Sequence, residues 1–230
     1  MDTDTNLSLV DYKEKWRLDL LTEPNAVSVP PKAWLKYFEL ETQELKSRGL
    51  LIDQKISILD LKNLAESDVS NRVLFVATMM WGRGPKNGRL MPKFRKVCSS
   101  PVFEETLHKT RDLITVGNPV GAYRAWIDSG ISGIREPFFT KWFFVCGLAE
   151  GGSVFRPLVL DGRVWRSLSA IGWSSKEQRG EKYRKDPAGA YGAYLYSMKH
   201  WSFELSDAHV KITPLQVEQF FFRENGNSLL

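Results

Sequence analysis

Cysteine and histidine are scarce in this chain, with 2 Cys and 3 His in 230 residues. Cys98 and Cys146 lie far apart, and His108, His200 and His209 are scattered. None has the spacing of a metal ligand set, and two thiols cannot build a disulfide framework. These absences argue against zinc modules and cross-linked secreted scaffolds, and lead to the expectation of a cytoplasmic protein with no metal. No apolar run is long enough to cross a bilayer, so no membrane partner is expected. The start, MDTDTNLSLVDYKEKW, lacks the basic-then-apolar order of a signal peptide. Internal repeats and low-complexity tracts are absent too. Only PLVL, at 157–160, reads as a β-like run.

What the chain has is apolar residues in helical spacing, 43% hydrophobic and 12% aromatic by composition. Residues 1–30 read as a peripheral segment, with a short helix near Asp11 to Leu21. Residues 31–230 read as one helical domain. A first helix is expected from Ala33 to Arg48, with Trp34, Leu35, Phe38, Leu40 and Leu45 on its apolar face. Ser57 is placed to cap a second, ILDLKNLAES. A core helix starts near Ser70, runs through VLFVATMMW and stops at Gly82. Further helices follow Ser100-Pro101 and Asn118-Pro119, the latter ending at Gly130. Pro137 opens FFTKWFFVCGL, Asp161 caps RVWRSLSAI, 186–205 forms an aromatic-rich helix, and Thr213-Pro214 opens the last. The sum is an all-α fold of about ten helices.

The formal charge is +5 and the pI about 9.1, which permits a nucleic-acid partner without requiring one. The stretch 82–96 holds Arg83, Lys86 and Arg89 among Gly and Pro, has no acid, and reads as a phosphate-facing loop. A second basic run, 176–185, contains Glu and reads equally well as a solvated surface.

Two charges sit where a charge is costly. Lys141 heads an apolar helix, and Asp161 follows Pro-Leu-Val-Leu. A lysine near a helix start is ordinarily a surface residue, and an aspartate before a helix is ordinarily a cap. Their apolar settings are the reason to read them instead as a nucleophile and its electrostatic partner.

The order of these parts resembles the helix-hairpin-helix DNA glycosylases, and within them the 8-oxoguanine DNA glycosylases that also cleave abasic sites. The residues that carry the resemblance are Thr140-Lys141 after a glycine turn, Leu158-Val159-Leu160-Asp161 with Trp165, and Gln216 with Phe220 on the last helix. It covers roughly Ser70 to Asn225. The turn departs from the family pattern: Gly130 and Gly133 are present, but Arg135 stands where a further glycine is usual. Residues 1–60 do not match the extra β domain of larger relatives, so the resemblance implies a compact helix-hairpin-helix glycosylase.

The resemblance implies a role for each site residue. Lys141 attacks the sugar carbon that bears the base. Asp161 stabilises the developing positive charge and moves protons. Gln216 or Gln219 reads the base edge and Phe220 stacks on it, with Trp81 as a second platform. Val145 occupies the place of a base-contacting residue four after the lysine, and the adjacent Cys146 reads as core. Gly130, Gly133, Arg135, Arg83, Lys86, Arg89 and Arg163 hold phosphates. No metal or organic cofactor is needed for this chemistry. The expected partner is duplex DNA with an oxidised or otherwise modified purine. Two other readings keep the fold. One is an accessory protein of a bacterial anti-phage operon, acting on or binding a deazapurine-type base, with operon-encoded protein partners. The other is a non-catalytic nucleic-acid-binding helical module.

Overall fold

A computed structural model describes residues 26–83, 91–149, 156–173 and 185–226. Ten helices of eight residues or more and one five-residue helix account for most of them. The fold is all-α, with one small two-stranded ladder in which Val27–Ser28 (β1) pairs antiparallel with Lys55–Ile56 (β2). The chain divides into two compact units, Pro24–Pro157 and one that holds the helices after Leu158.

The first unit contains α1 (Pro31–Leu35), α2 (Glu39–Ser47), α3 (Ile58–Ala65), α4 (Asn71–Arg83), α5 (Met91–Cys98), α6 (Phe103–Thr115), α7 (Pro119–Asp128) and α8 (Glu136–Leu148). Helix α8 is its axis. Every residue from Phe139 to Leu148 is buried, as an all-round apolar helix requires. It packs against α3, α4, α6 and α7. Aromatic rings fill the space between: Trp126 stacks on Phe139 with centroids 5.5 Å apart, and Phe75 meets Phe103 edge-on at 5.1 Å. Trp142 is fully buried, and its indole nitrogen donates to Thr110 Oγ1 at 2.9 Å.

Start and stop signals explain most boundaries. Ser57 and Asp60 form a capping box at α3, and the Asn118 side chain accepts from Gly121 N at α7. Three expectations needed correction. The single helix expected over 33–48 is broken at Lys36–Phe38 into α1 and α2, because the break turns both Trp34 and Phe38 into the core, at 0% and 2% exposure. Leu40, expected on the apolar face, is exposed as a result. The basic loop expected over 82–96 is corrected at both ends, since α4 runs to Arg83 and Met91–Cys98 is helical. Met91, Phe94, Val97 and Cys98 form its buried face, a pattern masked in sequence by the interspersed Lys and Arg. At α6 the helix begins at Phe103, two residues later than the Ser100-Pro101 signal, and Val102 stands at the cap without a side-chain bond.

The second unit contains α9 (Gly162–Ala170), α10 (Pro187–Leu205) and α11 (Pro214–Glu224), with α11 packed on both others. The β-like run at 157–160 is not a strand. Leu158, Val159 and Leu160 are buried in extended backbone, and their carbonyls need partners. Tyr191 Oη donates to Leu158 O at 2.8 Å and Tyr194 Oη to Val159 O at 2.7 Å, so α10 supplies the bonds a sheet would have given. The expected helix at 11–21 and the second basic run through residue 184 lie outside the described residues.

Candidate active site

Lys141 sits on the second turn of α8 and is 7% exposed. Its Nζ donates to Pro137 O, one turn back, at 3.2 Å. The side chain passes over Gly82 in the last turn of α4, where a Cβ would come within 2.5 Å of Lys141 Cδ. Sequence reading took Gly82 as the end of that helix. The helix continues to Arg83, and the glycine marks where the lysine crosses. On either side of this crossing the two helices meet through rings. Trp81 stacks on Phe144, centroids 5.8 Å apart and planes 20° from parallel. Arg83 lies over both Phe94 and Phe138, 5.8 Å from each centroid. Burial there holds the Arg83 guanidinium below its ordinary range.

The glycine turn leads into α8. Gly130 and Gly133 have φ of +68° and +99°, a region that glycine adopts without strain. Gly130, Gly133 and Arg135 are exposed, while Ile134 between them is buried and anchors the turn. The two helices are tied across it: Tyr123 Oη of α7 donates to Glu136 Oε1 of α8 at 2.7 Å. Arg135 occupies the cap position of α8 in extended backbone, without a side-chain cap bond. Val145 is fully buried. Burial also pushes the Cys146 thiol up, away from thiolate chemistry. Among the described residues no group of His, Cys, Asp and Glu could hold a metal ion. Lys86 and Arg89 lie outside the described residues.

In the second unit, Asp161 is the N-cap of α9. Its Oδ1 accepts from Arg163 N at 2.9 Å and Val164 N at 3.2 Å. The carboxylate is half-buried and fixed by the helix it starts. Asn225, the left-handed C-cap of α11, accepts from Arg166 of α9. Ser167 Oγ donates to Phe221 O at 2.6 Å and accepts from Gly226 N at 2.9 Å. Helix α11 is therefore locked to the helix that carries Asp161.

On α11 the expected base-reading pair lies in structural positions. Gln216 closes a capping box, its Oε1 accepting from Thr213 N at 2.8 Å and from Thr213 Oγ1 at 2.9 Å. Phe220 is 2% exposed and packs on Phe221. The half-buried face of the same helix is Leu215, Gln219 and Phe222, at i, i+4 and i+7. Arg163 lies over the Phe222 ring, 4.7 Å from its centroid. Sequence reading missed Phe222 because three successive phenylalanines carry no internal signal of which ring faces out.

No curated protein and no solved structure matches the chain. A family model does, over residues 10–222, and its description is "Putative 8-oxoguanine DNA glycosylase OGG-like protein". The match spans both units and takes in Lys141, the glycine turn, Asp161 and α11 as far as Phe222. The chain belongs to this OGG-like family.

Proposed function

We propose that the protein is a DNA N-glycosylase with abasic-site lyase activity, acting on an oxidised or modified purine. The observation that carries this reading is the placement of Lys141, a buried amine held over bare backbone at Gly82 in an OGG-like chain. Lys141 Nζ attacks the sugar C1′ as its neutral amine. The C1′–N bond breaks, its electron pair leaves with the base, and the base takes up a proton. The bond from Nζ to C1′ becomes a Schiff base as the sugar ring opens. Loss of a 2′ proton then expels the 3′ phosphate and nicks the strand.

Asp161 is the carboxylate that stabilises positive charge on the sugar and passes protons. Its rigid cap geometry supports this role, because a preorganised charge needs no reorganisation during reaction. Gly130, Gly133 and Arg135 in the exposed part of the turn offer backbone N–H groups and a cation for phosphates, and in the second unit Arg163 offers a cation. Gln219 and Phe222 are better presented to an extruded base than Gln216 and Phe220, whose side chains cap and pack.

Borohydride trapping on a duplex with one 8-oxoguanine tests the reading. Wild-type protein is expected to form a covalent adduct that Lys141→Gln abolishes. An adduct that persists unchanged in that variant removes Lys141 as the nucleophile. Binding of duplex without adduct or base release makes the protein a binding module instead.

A further inference from the structure

We infer that Gly82 is a positioning residue for Lys141: the side chain it lacks is the space that the lysine stem occupies. The inference rests on the reading of Lys141 as the nucleophile.

Glycine near a helix end ordinarily supplies a left-handed cap, so Gly82 in the last turn of α4 calls for a reason. Backbone conformation is not that reason, since Gly82 is absent from the positive-φ residues. Space is. The three atoms nearest to a Cβ built at Gly82 all belong to Lys141: Cδ at 2.5 Å, Cε at 3.1 Å and Cγ at 3.8 Å. Ordinary carbon contacts lie at about 3.5–4.0 Å. The stem therefore rests on bare backbone, closer than any other residue type permits.

The register of α4 on α8 gives this contact its walls. Trp81 meets Phe144, Gly82 meets Lys141, and Arg83 meets Phe138. Three successive residues of α4 thus meet three residues of α8 spaced at i, i+3 and i+6. Aromatic contacts close the crossing on both sides, and Pro137 O holds the amine end. Lysine has many rotamers, and this channel selects among them. A methyl group at Gly82 fills the channel. The backbone of α4 and the rings can stay in place, and the flexible stem is what yields.

Gly82→Ala tests this, read beside wild type, Lys141→Ala and the double variant. Two readouts need no catalysis. Acetylation of the DNA-free protein by an amine-reactive ester, mapped by mass spectrometry, follows Lys141 against the exposed Lys109. Labelling of Lys141 is expected to rise in Gly82→Ala as the stem is displaced from its buried track. Thermal melting of the four proteins forms a double-mutant cycle. If Gly82→Ala melts lower than wild type, adding Lys141→Ala must restore the loss, because the clash is with that side chain. The third readout is single-turnover trapping on the 8-oxoguanine duplex. Gly82→Ala is expected to slow it by about 100-fold, the scale for a displacement of about 1 Å at a reacting group, with duplex affinity unchanged.

Unchanged labelling and unchanged trapping in a folded Gly82→Ala protein overturn the inference. So does a melting loss that Lys141→Ala fails to restore. A wild-type protein that traps nothing removes the nucleophile role, and with it the catalytic meaning of the positioning. Labelling and melting still decide in that case whether Gly82 sets the place of Lys141.

Discussion

Arg163 lies over the ring of Phe222, its guanidinium carbon 4.7 Å from the centroid, joining the first turn of α9 to the half-buried face of α11. Two positions apart on α11, Phe220 and Phe222 differ in kind when truncated. Phe220→Ala empties a core site and is expected to cost about 3–5 kcal/mol of stability. Phe222→Ala removes a partly exposed ring. It is expected to melt close to wild type and to lose about 1–3 kcal/mol of binding to an oligonucleotide with an unpaired base. Melting curves and fluorescence titration separate the two. Equal binding by wild type and Phe222→Ala would return the stacking role to another residue.

Asp161 carries two duties that substitution can separate. Asparagine caps a helix as well as aspartate does, and alanine does not. Asp161→Asn is expected to melt within about 0.5 kcal/mol of wild type while losing base release, and Asp161→Ala to lose base release together with about 1 kcal/mol of stability. Base release by Asp161→Asn at the wild-type rate would leave the residue a cap and nothing more.

How much of this could be read in the residues varies with the kind of signal. Caps and breakers were legible, because Ser57, Asn118, Asp161 and Thr213 act within one turn of themselves. The break at Lys36–Phe38 was not, because it depends on where Trp34 and Phe38 find a core. Helix α5 was hidden for a related reason: its apolar face is four residues among Lys and Arg. The positions of Lys141 and Asp161 on their helices followed from sequence. The occupation of Gln216 by its own cap and the crossing of Lys141 over Gly82 did not, since both depend on side-chain paths in space.

Cys98 gives the protein a signature at alkaline pH. Burial is the main cause that pushes its thiol up to about 12 from an ordinary 9.0, against a smaller opposing effect of Arg72. Between those values the unfolded chain loses a proton that the folded chain keeps, so the unfolded state gains. The stability that the neutral buried thiol contributes is complete below pH 9 and is lost as pH rises toward 12. Cys98→Ala is expected to show a shallower loss of stability than wild type between pH 8.5 and 10.5, by urea unfolding at each pH. Parallel losses in the two proteins would remove Cys98 as a source of the pH dependence. In the folded protein near pH 8, both buried thiols should resist maleimide.

Gly147 and Gly82 make a controlled pair, since both lie in helices of the first unit and both would place a new methyl against a side chain. Replacing a helical glycine with alanine gains at most about 1 kcal/mol of helix propensity at either site, since both are next to last in their helices. The neighbour decides whether that gain survives. At Gly82 the neighbour is the stem of Lys141, which can swing away, so stability is retained and position is lost. At Gly147 the new Cβ would lie 2.7 Å from both Cδ and Cγ of Pro157, a ring that cannot rotate aside. Overpacking against a rigid group costs about 1–3 kcal/mol, which matches or exceeds the propensity gain. Gly147→Ala is therefore expected to lower the melting temperature, and Gly147→Ala with Pro157→Ala to recover part of the loss. A Gly147→Ala protein that melts above wild type would mean that the chain around Pro157 gives way more easily than a closed ring packed on a helix should.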